Sequence, residues 1–149
     1  MKLNTRDFGE IEIDEQKIIN FPEGLLGFEK EKQFIIINPE DEDSPFQWLQ
    51  SIKDPNLAFV IINPFSIYDD YDIIIPKTAQ KKLKIKNQKD ISVYSIVVVP
   101  EDIEKMTANL LGPIIINIDK RLGKQVILDD SRYSTKHYIF PQKSKDGGI

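Results

Sequence analysis

The sequence predicts a mainly antiparallel, all-β fold, a β-barrel-like single domain with one short helix, on three observations. Alanine, the best helix former, stands only at Ala58, Ala79 and Ala108, whereas isoleucine dominates the apolar set and β-branched side chains favour pleated surfaces. About eight or nine apolar stretches of strand length are separated by turn signals at short intervals. No regular alternation of strand with helix calls for a parallel sheet. With 149 residues, 40% of them hydrophobic and 30% charged, the chain has enough apolar matter for a core of its own. A domain over residues 1–140 and a flexible tail at 141–149 are expected.

Gly9-Glu10-Ile11-Glu12-Ile13 alternates, placing Ile11 and Ile13 on one face, and Asp14-Glu15 is read as a turn into residues 17–20, giving an N-terminal hairpin. Phe21-Pro22-Glu23-Gly24 has proline and glycine where a type I turn wants them, and Gly27 gives a second bend. Residues 34–37 then read as a buried strand ended by Asn38-Pro39. The like-charge run Glu40-Asp41-Glu42-Asp43 repels itself within any regular element and reads as an exposed loop. Residues 46–51 alternate with Phe46, Trp48 and Gln50 on one face, turn through Lys53-Asp54-Pro55-Asn56, and return as the apolar run 57–62. The one helix is expected over 75–83, with Pro76 in its first turn and Ala79 and Leu83 forming a narrow apolar stripe. Lys77, Lys81, Lys82, Lys84 and Lys86 cover its outside and its C-terminal end. Residues 93–99 form another strand. Residues 106–117, interrupted at Gly112-Pro113, pair with 124–128 across a turn in which Gly123 takes a positive φ.

The chemistry the chain excludes is broad. Without cysteine there are no disulfides, thiolate metal sites or cysteine nucleophiles. Residues 1–7 lack the apolar stretch of a signal peptide, and a cytoplasmic location is expected. His137 is the only histidine, which rules out a two-histidine metal site. It lies in Asp129-Asp130-Ser131-Arg132-Tyr133-Ser134-Thr135-Lys136-His137, where Ser, Asp and His are crowded in sequence; a triad depends on positions in space, so these residues read as stitching a non-regular segment to the sheet. The acidic runs lack the glycine and distal glutamate of a calcium loop, and no glycine pattern forms a phosphate cradle, so no cofactor, no metal and no catalytic residue is expected.

Binding surfaces remain. Residues 1–75 carry 6 basic and 16 acidic side chains, a balance of −10, whereas residues 76–149 carry 14 and 8, a balance of +6. Either the acidic half presents a face to a basic partner or folding interleaves the two. Phe65, Ile67, Tyr68 and Tyr71 beside Asp69, Asp70 and Asp72 make a protein-binding edge if exposed, or cover one end of the fold if turned inward. The lysine-rich helix offers an alternative, an RNA-binding surface, against which stand the acidic overall charge and the lack of stacking aromatics among the basic residues.

Several stretches, in order and spacing, resemble the flagellar assembly factor FliW family. They are Phe8-Gly9-Glu10-Ile11-Glu12-Ile13, Ile19-Asn20-Phe21-Pro22-Glu23-Gly24-Leu25-Leu26-Gly27-Phe28, and Trp48-Leu49-Gln50-Ser51 with Asp54-Pro55-Asn56-Leu57-Ala58-Phe59. In the second half they are Val99-Pro100-Glu101-Asp102, Met106-Thr107-Ala108-Asn109-Leu110-Leu111-Gly112-Pro113-Ile114, and residues 129–137. The family often has another small residue at the position of Gly112, and the tail after Phe140 matches no motif. The resemblance implies a non-enzymatic, cytoplasmic regulator with a compact antiparallel β-barrel-like fold. It implies two protein partners, flagellin and the translational regulator CsrA: as export drains flagellin, the released factor captures CsrA and relieves repression of flagellin translation. No direct nucleic acid contact and no membrane are expected. The candidate partner surface is Ile67, Tyr68, Asp69, Asp70 and Asp72, joined by Asn109 and Leu111.

Overall fold

Apolar runs bounded by Asn-Pro pairs become the central strands of a large sheet. A computed structural model describes residues 1–142; of the tail expected at 141–149, residues 143–149 lie outside the described residues. The strands are β1 (Lys2–Asn4), β2 (Glu10–Glu12), β3 (Ile19–Asn20), β4 (Gln33–Ile37), β5 (Phe46–Ser51), β6 (Ala58–Ile62), β7 (Ile91–Val98), β8 (Thr107–Ala108), β9 (Ile114–Asn117), β10 (Leu122–Gln125) and β11 (His137–Tyr138). The single α-helix among the described residues, α1 (Lys77–Lys82), lies between β6 and β7. The fold is mainly antiparallel β with one short helix, as the composition leads one to expect.

β1 and β2 pair only with each other, Leu3 opposite Ile11. The other nine strands form one sheet in the order β11-β8-β7-β6-β5-β4-β3-β10-β9, and β9 pairs again with β7. The ladder therefore returns to its own β7. Along one edge of β7 run β8, with Val97 opposite Ala108, and β9, with Val93 opposite Ile115; the two are one strand path whose register changes at 109–113, across Gly112-Pro113. Along the other edge runs β6, from Val60 opposite Val97 to Ile62 opposite Ser95. β6 ends there because Asn63-Pro64 follows: the Asn63 side chain accepts the Phe65 N–H at 2.9 Å and starts a 3₁₀ turn over Pro64–Ser66.

β6 and β9 are buried on both faces, so adjacent residues serve different clusters. Ile61, Ile114 and Ile116 join Phe21, Phe34 and Leu49 in one, while Ile62 and Ile115 join Val93, Val97, Met106, Leu110 and the α1 pair Ala79 and Leu83 in the other. The stripe expected on the helix is therefore its buried face, though Pro76 caps α1 from outside the first turn. Other expectations need correcting. Residues 9–13 pair back to β1, not forward to 17–20, because alternation marks a strand without naming its partner. Within the mainly antiparallel sheet that was expected, Leu122 of β10 lies parallel beside Asn20 of β3. In the β9–β10 turn it is Arg121, at φ 52°, that takes the left-handed conformation. Gly123 lies within β10, where a Cβ would stand 2.4 Å from the Phe21 ring; its role is to admit that ring, not to turn the chain.

Candidate functional site

After the Pro64–Ser66 turn the chain makes two tight reversals. Tyr68 N–H donates to Pro64 O at 2.9 Å and Tyr71 N–H to Tyr68 O at 3.1 Å. This places Asp69 and Asp70 at a tip, with Ile67 and Tyr68 half-buried, Tyr71 buried, and Asp69, Asp70 and Asp72 exposed. Tyr68 and Tyr71 thus fold down with Ile67, while Phe65 and the acids stand out. Among the described residues, neither Asp69 nor Asp70 nor Asp72 takes part in an ion pair.

Two stretches distant in sequence hold this segment. The Tyr71 hydroxyl donates to Leu110 O at 2.7 Å, and its ring meets that of Tyr133 edge-on at 4.8 Å. The Tyr133 hydroxyl accepts the Asp72 N–H at 2.9 Å and donates to Asp72 O at 3.2 Å. The Tyr68 hydroxyl donates to Tyr138 O at 2.8 Å. The His137 ring lies 6.2 Å from both Tyr68 and Tyr133, and its Nε2 accepts the Ser134 N–H at 2.9 Å. Ser134 O in turn accepts the N–H groups of Leu110 and Leu111, each at 3.1 Å.

Residues 67–72, 109–111 and 130–138 are therefore one assembly, and the candidate residues lie in it or on its margin. Asn109 is committed to structure: its Oδ1 accepts the Gly112 N–H at 2.8 Å. Leu111 is half-buried against the core. Tyr133 was visible in sequence only as part of a stitching segment; nothing in its spacing marked it as the partner of Tyr71 and Asp72, 61 residues earlier. Ser134 reaches His137 through its backbone N–H and not its hydroxyl, while Asp130 holds Arg132 in a fork, Nη2 to Oδ2 at 2.7 Å.

Burial pushes the Tyr71 phenol well above its ordinary value, with the Tyr133 phenol and Asp130 adding to the shift; burial alone raises Tyr68. The Arg132 guanidinium holds the Asp130 carboxyl below the usual range. Such an arrangement keeps the Tyr68 and Tyr71 phenols neutral and presents exposed carboxylates on an anchored backbone, which suits capture of a cationic protein surface. Lys77, Lys81, Lys84, Lys86 and Lys120 line a groove of about 570 Å³ that shares Gln80 and Ile85 with the one bordered by Asp72, whereas Lys82 and Lys124 pair with Glu23 at 3.3 and 2.8 Å. No helix among the described residues is long and apolar enough to cross a membrane.

The family model described as FliW protein matches residues 2–139. The chain belongs to the FliW family. It is 50% identical over 145 residues to the flagellar assembly factor FliW of Alkaliphilus metalliredigens (strain QYMF), covering 97% of this chain and 90% of that one. It is 46% identical over 144 residues to the flagellar assembly factor FliW of Caldicellulosiruptor bescii, covering 97% and 93%. A crystal structure of the flagellar assembly factor FliW superposes with a TM-score of 0.90 at 42% identity, over 97% of this chain and all of that one. The FliW resemblance read from the motifs thus extends over nearly the whole chain.

Proposed function

We propose that this FliW-family chain regulates flagellar assembly in the cytoplasm by exchanging protein partners, without catalysis: it binds flagellin and alternatively binds and antagonises CsrA, relieving repression of flagellin translation. Likeness to flagellar assembly factors over 97% of the chain carries the reading. The anchored segment 67–72, with three free carboxylates on an aromatic base, supports a docking role for it. Exchange requires that the two partners disfavour each other on this protein, and coupling of about 1–3 kcal/mol suffices. The test is co-purification from cells expressing both, followed by competition: flagellin added to the CsrA complex releases CsrA. Recovery of neither partner overturns the reading.

The five-lysine groove favours a second reading, binding of RNA. It predicts RNA retardation with steep salt dependence, lost in Lys81→Glu with Lys84→Glu; unchanged retardation in that variant removes the groove from consideration.

A further inference from the structure

Where β6 ends, the edge of β7 is left open. Asn109 N–H donates to Ile96 O and Ile118 N–H to Asp90 O, so even-numbered residues of β7 turn their backbone groups toward β8 and β9. Odd-numbered ones therefore face the other edge, where β6 serves Val97 and Ser95 and then stops. Continuing that register would bring Pro64 opposite Val93. Pro64 has no N–H to give, and its carbonyl is taken by the N–H groups of Ile67 and Tyr68 at 3.2 and 2.9 Å. The Ile91 N–H is used by Gln88 O. Among the described residues, no bond is made by the Val93 N–H, the Val93 C=O or the Ile91 C=O toward this side.

These groups border a groove of about 700 Å³, within the size range of ligand sites. Its apolar lining includes Ile73, Ile75, Ile85 and Ile91, and Asp72 is its only charged residue. We infer that the open edge of β7 takes an extended, basic peptide segment of a protein partner as an added strand. One ligand residue opposite Val93 exchanges two backbone hydrogen bonds, and the Ile91 carbonyl accepts a third from the residue two places along. Aliphatic side chains of the segment fill the isoleucine-lined space, and Asp72, with Asp69 and Asp70 on the same loop, selects for lysine or arginine over acidic residues. The inference rests on the reading of residues 67–72 as a docking region.

The probes are Ac-Val-Lys-Val-Lys-Val-NH2, its copy N-methylated at the central valine, and the counterpart with glutamate for lysine. Val93 is buried, and in the free protein its amide, lacking a backbone partner, is expected to exchange faster than those of the ladder-bonded Ser95 and Val97. Saturation with the lysine peptide slows that exchange at least tenfold by NMR. N-methylation weakens binding about tenfold, as loss of one backbone bond requires, and the glutamate peptide binds more weakly still. Lack of lysine-peptide binding at millimolar concentration, unchanged Val93 exchange at saturation, or equal affinity of the N-methylated copy each overturns the inference. Slowing of Val93 exchange with protein concentration alone also overturns it, in favour of a second copy as the occupant. The same exchange measured in a CsrA complex separates the two readings. If CsrA binds and depends on Asp69 and Asp70 but leaves Val93 exchange unchanged, the edge inference fails and the docking reading stands. If the peptide protects Val93 while CsrA binding ignores those aspartates, the docking reading fails alone.

Discussion

At the scale of single residues, the packing of Gly123 against Phe21 leaves no room for a methyl group. Gly123→Ala puts a Cβ 2.4 Å from the ring and displaces a fully buried phenylalanine, at an expected cost of about 1–3 kcal/mol in denaturant unfolding. Sequence alone shows a glycine near a turn, and glycine answers two needs, a positive φ and a close approach, which only the partner across the sheet distinguishes. Tyr71 carries a second prediction. Tyr71→Phe leaves the buried Leu110 carbonyl without its donor and costs about 1–3 kcal/mol. The same phenol makes stability depend on pH. Its value in the fold lies above the 10.0 of an exposed tyrosine, so the contribution is intact below pH 10 and is lost as pH rises further, because the unfolded chain releases the proton first. The slope from one such group approaches about 1.4 kcal/mol per pH unit, and unfolding curves between pH 10 and 11 are expected to be flatter by about that amount in Tyr71→Phe.

Among the elements, α1 is short and is held by its surroundings. Its apolar stripe at Ala79 and Leu83 was legible because a spacing of four marks one helical face, and both side chains are buried. What closes the helix was not legible. The Asn117 side chain donates to Leu83 O at 2.8 Å and to Lys84 O at 3.3 Å, tying the helix end to the last residue of β9. Lys84, just past the helix, sits at φ 54° where glycine is the common choice. Lys84→Gly is therefore expected to raise stability by about 1 kcal/mol, measured by thermal unfolding. Strand existence was likewise readable for β4, β6 and β7 from their apolar runs and for β5 from its alternation. The two-residue β11 was missed, since so short a run has no periodicity, and its pairing with β8 comes from the distant anchoring of Tyr68 and Ser134.

For the whole molecule, the division of charge along the chain is partly undone by folding. Glu23 from the acidic half binds Lys82 and Lys124 from the basic half, which lowers its pKa, and β3 lies beside β10. Asp72 lies in the field of Arg132 from the basic half, but Asp69, Asp70 and Asp72 form no ion pair among the described residues, so the tip retains a field that a basic partner can sense. Under the proposed capture of CsrA at this segment, charge reversal at Asp69, Asp70 and Asp72 is expected to slow association about tenfold at low salt and to flatten its salt dependence, in stopped-flow measurement, with dissociation little changed. Unchanged kinetics would remove this segment as the contact. The return of the ladder to β7 has a consequence for how the protein is made. Its last link joins Leu122 to Asn20, about a hundred residues apart in the chain, so β3 waits with an unpaired flank until residue 122 has left the ribosome. A nascent chain stopped before residue 122 lacks both β10 and β11, so it carries three adhesive borders, on β3, β9 and β8, and is vulnerable to clumping with its neighbours on a polysome until those strands arrive.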